Sequence, residues 1–154
     1  MENGNTNWQQ SVTAVVIKDN KVLLGRHTYG AGKGKLIIPG GYVNVGESPQ
    51  EAVKREYLEE TGITIEPKDI IGIRFNSHDW YVAFTADYIS GQPKSDCDEN
   101  SEVVWLDVNE ALQHNDVPEL TKRLIESALN HNAPFKRTAF HSAESNSPYS
   151  LYVK

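Results

Sequence analysis

Alternating apolar and polar positions divide the chain into a short series of elements. Residues 11–19, SVTAVVIKD, are β-branched and largely apolar, which predicts a buried strand. Asp19-Asn20-Lys21 is a turn signal, and KVLLGR follows as a second strand, so the two should form a hairpin. Residues 27–35, HTYGAGKGK, carry three glycines and two lysines and predict a mobile loop with a basic tip. Leu36-Ile37-Ile38 reads as a short strand that Pro39-Gly40-Gly41 ends sharply. Ser48 is placed as a helix N-cap, with Pro49 at the first helical position and Glu51 completing a capping box. The helix should run to about Thr61 and stop at Gly62, with Val53 and Tyr57 giving its apolar contact to the core.

Beyond the helix, ITIEPKDIIGIRF predicts two strands, or one bent at Pro67. WYVAFTADYI, residues 80–89, predicts a further strand. Residues 91–101 form an acidic loop, EVVWLD another strand, and Asp107 caps a short helix through Leu112. Residues 117–130 predict an amphipathic helix with Leu120, Leu124 and Leu129 among its apolar positions. This order implies an α/β chain of the α+β kind, a mixed sheet with helices packed on its faces. Residues 1–10 read as a flexible start in which Trp8 alone invites packing, residues 11–130 as the domain, and residues 131–154 as a tail. The tail carries Phe135, Phe140, Tyr149 and Tyr152, and is either disordered or docked on the domain or on a second subunit.

Composition narrows the class. A chain of 154 residues is long enough for one domain with a real core. No apolar run approaches a membrane span, and the polar N-terminus does not read as a signal peptide. Cys97 is the single cysteine, which excludes an intrachain disulfide framework and fits a reducing cytoplasm. The net charge of −6 disfavours a stable complex with nucleic acid, which needs clustered Lys and Arg. It leaves a phosphorylated substrate open if metal ions bridge the two.

The candidate chemistry sits in the central helix. Glu56, Glu59 and Glu60 are three and four residues apart, a spacing that places side chains on one helical face. Like charges so placed destabilise a bare helix by roughly 0.2–0.5 kcal/mol per pair, and a bound divalent cation is the natural offset. The ordinary reading of three such acids is a solvated helix face. The surrounding residues change that. Gly41, Glu47, Arg55-Glu56, Glu59-Glu60 and Gly62 match all seven fixed positions of the pattern G-x5-E-x7-R-E-U-x-E-E-x-G-U, where U is apolar. A window of average composition does so on the order of 10⁻⁹ of the time. The stretch therefore resembles the Nudix hydrolase signature, MutT-like. Tyr57 departs from it, because aliphatic residues are more usual at that position; the departure should affect packing more than chemistry.

The resemblance implies a mixed sheet between helices, with the signature as loop–helix–loop. It implies hydrolysis of a nucleoside diphosphate linked to another group, X, with water and Mg²⁺ or Mn²⁺. Carried onto this sequence, Glu59 and Glu60 are metal ligands and Glu56 is a ligand or general base. The carbonyl of Gly40 is a further ligand, Glu47 supports the loop or reaches a metal through water, and Arg55 orients a box carboxylate. Glu99 is the leading candidate for an extra ligand or base from the acidic loop, ahead of Glu102, Asp96 and Asp98. Arg26, Lys33, Lys35 and Arg74 are candidates to meet phosphates, and Trp80, Tyr81 and Phe75 to stack on a base. ADP-ribose, a nucleotide sugar and an oxidised nucleoside triphosphate all remain open as substrates, and a homodimer is an open expectation. The competing classes are a nucleotide-sensing binding module and a diphosphate isomerase, for which Cys97 among acids is a poor nucleophile. The histidines, His27, His78, His114, His131 and His141, show no metal-ligand spacing and default to surface or packing roles.

Overall fold

The N-terminal apolar run becomes a strand with two buried faces. In the computed structural model, which describes residues 7–76, 79–138 and 150–154, β1 spans Gln9–Lys18 and begins two residues earlier than its apolar pattern. Val12, Ala14 and Val16 point into one core, and Val15 points into the other. Such alternation follows from the two-residue period of a strand. β2 (Lys21–His27) returns as the expected hairpin, and β3 (Leu36–Ile37) and β4 (Gly40–Tyr42) follow the glycine-rich loop.

Helix α1 (Pro49–Thr61) has the predicted ends. Ser48 Oγ accepts from the Glu51 N–H at 3.2 Å, and a Glu51 carboxylate oxygen accepts from the Ser48 N–H at 2.8 Å. Gly62 closes the helix at φ +73°, a conformation that favours glycine, and donates its N–H to Leu58 O at 3.0 Å. β5 (Thr64–Phe75) is one strand rather than two. Its register against β6 (Asp79–Ser90) shifts beyond Pro67, which has no N–H for the ladder. β7 (Asn100–Asp107), α2 (Val108–Gln113) and α3 (Glu119–Leu129) complete the pattern.

The strands form one mixed sheet in the order β3-β2-β1-β6-β5-β9-β8, with β4 paired to β1 and β7 to β2. β1 runs parallel to β6 along eight pairs, Gln9↔Asp79 to Val16↔Ala86. Its other edge is divided. Ser11–Thr13 pair with β4 and Ile17–Lys18 with β2, leaving a gap between them. Tyr57, fully buried on α1, donates its hydroxyl to Ala14 O in that gap. The departure at Tyr57 is thus a packing device with a hydrogen bond. α1 covers one face of the sheet over Val12, Ala14, Val16, Ile63, Ile65 and Phe84, while α2 and α3 cover the other.

In the tail, β8 (Lys136–Thr138) and β9 (Ser150–Val153) extend the sheet, with β9 antiparallel to Gly72–Phe75 of β5. Leu151 is buried and the Tyr152 ring meets Phe75 edge-on at 6.2 Å. β8 and β9 are therefore docked, whereas Phe135 is 44% exposed. Phe140, Tyr149, His78 and His141 lie outside the described residues. Among the described residues no helix is long and apolar enough to cross a membrane.

The Tyr57 hydroxyl generates a stability prediction. Tyr57→Phe leaves the buried Ala14 carbonyl unpaired and should cost about 1–3 kcal/mol. Urea unfolding should show a lower midpoint with an unchanged slope. A midpoint equal to wild type would mean that water satisfies Ala14 without the phenol.

Candidate active site

The site is built where α1 crosses the divided edge of β1. Consecutive helical residues point about 100° apart, so Glu59 and Glu60 diverge. Glu60 turns into the protein and is 2% exposed, whereas the Glu59 side chain is 59% exposed. Glu56 lies between them, its carboxyl group resting on Gly41. A Cβ on Gly41 would stand 2.3 Å from the Glu56 carboxyl carbon, so a side chain there would push that carboxyl group aside. Gly40 similarly lets β4 approach β1, since a Cβ there would meet Val12 O at 2.1 Å.

Arg55 organises the outer carboxylates. Its Nε donates to Glu47 at 2.8 Å, its Nη1 to Glu56 at 2.8 Å and to Glu59 at 3.2 Å, and its Nη2 to Tyr42 O at 3.0 Å. These bonds, the one to Glu47 foremost, hold the guanidinium firmly charged. The inner pair is Glu60 and Glu99. Their carboxyl groups lie within hydrogen-bonding reach, and Gly40 N–H donates to Glu60 at 3.3 Å. Burial, then the Glu99 and Glu56 carboxyls, push the Glu60 carboxyl well above the usual carboxylate range. Burial also raises Glu56, against the lowering effect of Arg55.

The acids thus form an outer set on Arg55 and an inner pair, rather than the single cluster expected from helical spacing. Among the described residues no three His, Cys, Asp or Glu groups close around one metal-sized point. The chemistry of the set nevertheless suits a hard divalent cation. All donors are oxygens. Glu60 and Glu99 crowd one another without a cationic side chain between them, and Glu47 Oε2 is buried with no hydrogen-bond partner among the described residues. Glu47, Glu56, Glu60 and Glu99 could hold such an ion, and Glu59 stands more open to solvent.

Two loops meet over the inner pair. Thr28 N–H donates to Glu99 O at 3.0 Å, and Thr28 Oγ1 donates to Asp98 O at 2.5 Å, joining the glycine-rich loop to the acidic one. Asp96 shapes the acidic loop, accepting from the Asp98 and Asn100 N–H groups at 3.0 and 2.9 Å. Its side chain is a loop brace, and no contact brings Asp98 or Cys97 to the carboxylates. Tyr29 stacks on His27 with centroids 5.6 Å apart. Burial, then Glu99, Glu60, Tyr42 and Glu56, raise the Tyr29 phenol. Burial lowers the His27 imidazole despite Glu99 and Asp96. His27, at the end of β2, thus has the packing role expected of it, and Tyr29 lies on it at the start of the glycine-rich loop.

The other sequence candidates are engaged by partners of their own or stand at the surface. Arg26 bonds Glu102 and Asp116, each at 2.9 Å, and Gly34 O at 2.8 Å, so it ties β2 to β7 and two loops. The same pair engages one carboxylate oxygen of Glu102, the runner-up to Glu99. Arg74 pairs with Asp79 at 2.8 Å and lies over the Tyr81 ring at 4.6 Å. Tyr81 packs against the core on the α3 face, opposite α1. Lys33 is exposed and Lys35 half-buried on their loop. Trp80 is 47% exposed on the α1 face, edge-on to both Trp8 and Phe75.

A family model for the NUDIX domain matches residues 8–127, and the chain belongs to that family. Hydrolases of this family generally depend on a divalent metal. The chain is 34% identical over 125 residues to an NAD-capped RNA hydrolase NudC from Vibrio atlanticus, covering 77% of this chain and 44% of that protein. It is also 34% identical over 105 residues to an ADP-ribose pyrophosphatase from Methanocaldococcus jannaschii, covering 64% of this chain and 62% of that protein. The chain thus spans about half the length of these curated relatives. Among solved structures, a MutT protein from Methanosarcina mazei superposes with a TM-score of 0.69 at 29% identity, covering 86% of this chain and 100% of that one. A NUDIX hydrolase from Nitrosomonas europaea gives 0.68 at 27% identity, covering 80% and 90%. The α+β sheet with flanking helices is the fold of these neighbours.

Gly41 offers a test of the outer set. Gly41→Ala should overpack Glu56 and cost about 1–3 kcal/mol. Adding Glu56→Ala should recover most of the lost stability in thermal melts. A double variant as unstable as the single one would show that Glu56 is not what Gly41 accommodates.

Proposed function

We propose that this chain is a divalent-metal-dependent pyrophosphohydrolase. Its substrate is a nucleoside diphosphate linked to a second group, cleaved at the diphosphate by water. The observation that carries this reading is the buried Glu60 beside Glu99 and Glu56, an oxygen-only acidic set under two loops. A bound Mg²⁺ or Mn²⁺ would offset the diphosphate charge and lower the pKa of the attacking water.

The chain's own groups do the rest. Gly40 N–H fixes one oxygen of Glu60. Arg55 fixes Oε1 of Glu56, leaving Oε2 to act, and keeps Glu47 in line through Nε. The proton of the attacking water passes to a carboxylate oxygen of Glu56 or Glu99, the two acids on either side of Glu60. Lys33 and Lys35 sit on the loop that Thr28 ties to Glu99, where an ammonium can follow the phosphates. Relatives named for ADP-ribose and NAD-capped RNA make these the first compounds to test.

Glu60→Gln should lower turnover about tenfold or more on the active substrate while the fold is retained. Mg²⁺ should raise the melting temperature of the wild type by about 4 °C, and Glu60→Gln should lose most of that shift. Wild-type turnover and an unchanged metal shift in Glu60→Gln would remove Glu60 from the metal site. Tight nucleotide binding with no phosphate release across the panel would favour a sensing module instead.

A further inference from the structure

The hydrolytic set explains the carboxylates but not the exposed aromatic residues beside them. Trp8 is 36% exposed and Trp80 is 47% exposed, with their rings nearly perpendicular at 80° and 6.3 Å apart. Trp80 is held in turn by Phe75, edge-on at 5.4 Å, and Phe75 by Tyr152 of β9. This row is braced from behind by the docked tail, so the Trp8 ring is positioned before any ligand arrives.

Trp8 forms one wall of a groove of about 540 Å³ between the start of β1 and the loop leading to α1. That volume falls within the range of small-molecule sites. Gln9, Gln10 and Asn44 line it with carboxamides, and Val45 on the opposite wall is fully exposed. Its one charged lining residue is Glu47, at the end nearest the acids, and Glu47 is bonded to Arg55. The groove thus offers an aromatic wall, amide donors and acceptors, and no Lys or Arg. This chemistry suits an uncharged heteroaromatic ring with a hydrogen-bonding edge and is wrong for a phosphate.

The position relates the groove to the acids. Gly41, on which Glu56 rests, pairs with Val12, and Val12 pairs with Val82 on the same face. Trp80 is two residues further along β6. Strand spacings put Trp80, on which Trp8 rests, on the order of 12 Å from Gly41, and Glu47, which lines the groove, shares Arg55 with Glu56. We infer that the groove between Trp8 and residues 43–47 is the nucleobase subsite, with the base stacked on Trp8 and its edge read by the carboxamides. The inference deepens the hydrolase reading and rests on it for the direction in which the nucleotide lies.

Calorimetric titration with AMP, and with ribose 5-phosphate as the baseless control, tests this in the full chain. AMP should bind about tenfold more tightly than ribose 5-phosphate, because one base–aromatic stack is worth roughly that factor. Trp8→Ala and Trp80→Ala should each erase most of that difference, and Trp8→Phe should restore it. On the active substrate, Trp8→Ala should raise KM by about the same factor with kcat within about twofold. AMP affinity unchanged in Trp8→Ala, with or without a change of oligomeric state, overturns the subsite. Loss of AMP binding in Trp8→Ala alongside a wild-type chain that hydrolyses nothing would support the subsite and sink the hydrolase reading instead.

Discussion

A buried carboxylate is the constraint around which this fold is arranged. Glu60 is almost fully enclosed where α1 meets the sheet. Removing a charge from water is expensive unless it is neutralised or well bonded. Among the described residues, the Gly40 N–H supplies part of that compensation. The chain then adds two further acids, Glu56 and Glu99, where they raise the cost. An arrangement built only for stability would place an apolar residue at this position. The inner pair instead carries the oxygen-only chemistry on which the proposed metal site rests.

The sheet makes room for that site by dividing one edge of β1. β4 pairs with its first half and β2 with its last residues. The backbone between them needs other partners. Tyr57 answers Ala14, and Thr13 Oγ1 donates to Pro39 O at 2.6 Å, fixing the chain just before Gly40. One turn of helix separates Tyr57 from Glu60, so the bond that anchors α1 also aims the buried acid. Fold and site therefore share their contacts. A change at Tyr57 or Gly41 is felt in both.

Arg55 and Thr28 extend this order outward. Arg55 reaches three carboxylates and the Tyr42 carbonyl, converting mutual repulsion along one helical face into a network. Thr28 couples two loops that are 71 residues apart in sequence through the Glu99 carbonyl. The loop bearing Lys33 and Lys35 is consequently not independent of the loop bearing Glu99.

Much of this was legible in the residues. The helix from Pro49 to Thr61, its capping box and its Gly62 stop follow from local chemistry, because each acts within a few positions of itself. The longer strands follow from their β-branched and apolar runs, and the signature from Gly41 to Ile63 marks the acidic set, whereas β4, β8 and β9 are strands only because β1 and β5 offer them an edge to pair with. Charges were harder to read. Arg26 and Arg74 looked like phosphate ligands until the fold supplied Glu102, Asp116 and Asp79 as partners. Helical spacing treated Glu59 and Glu60 as equals, but the sheet decided that one meets water and the other does not. Trp80 and Tyr81 alternate in one strand, and only packing showed that Tyr81 belongs to the core and Trp80 to the open face. The sequence by itself determined the three helices, the longer strands and the presence of an acidic, family-specific helix, since those depend on neighbours along the chain. Tertiary structure alone decided how the opening set of glutamates divides, which loops overhang it and where the aromatic groove runs, because burial and ion pairing depend on residues far apart in sequence.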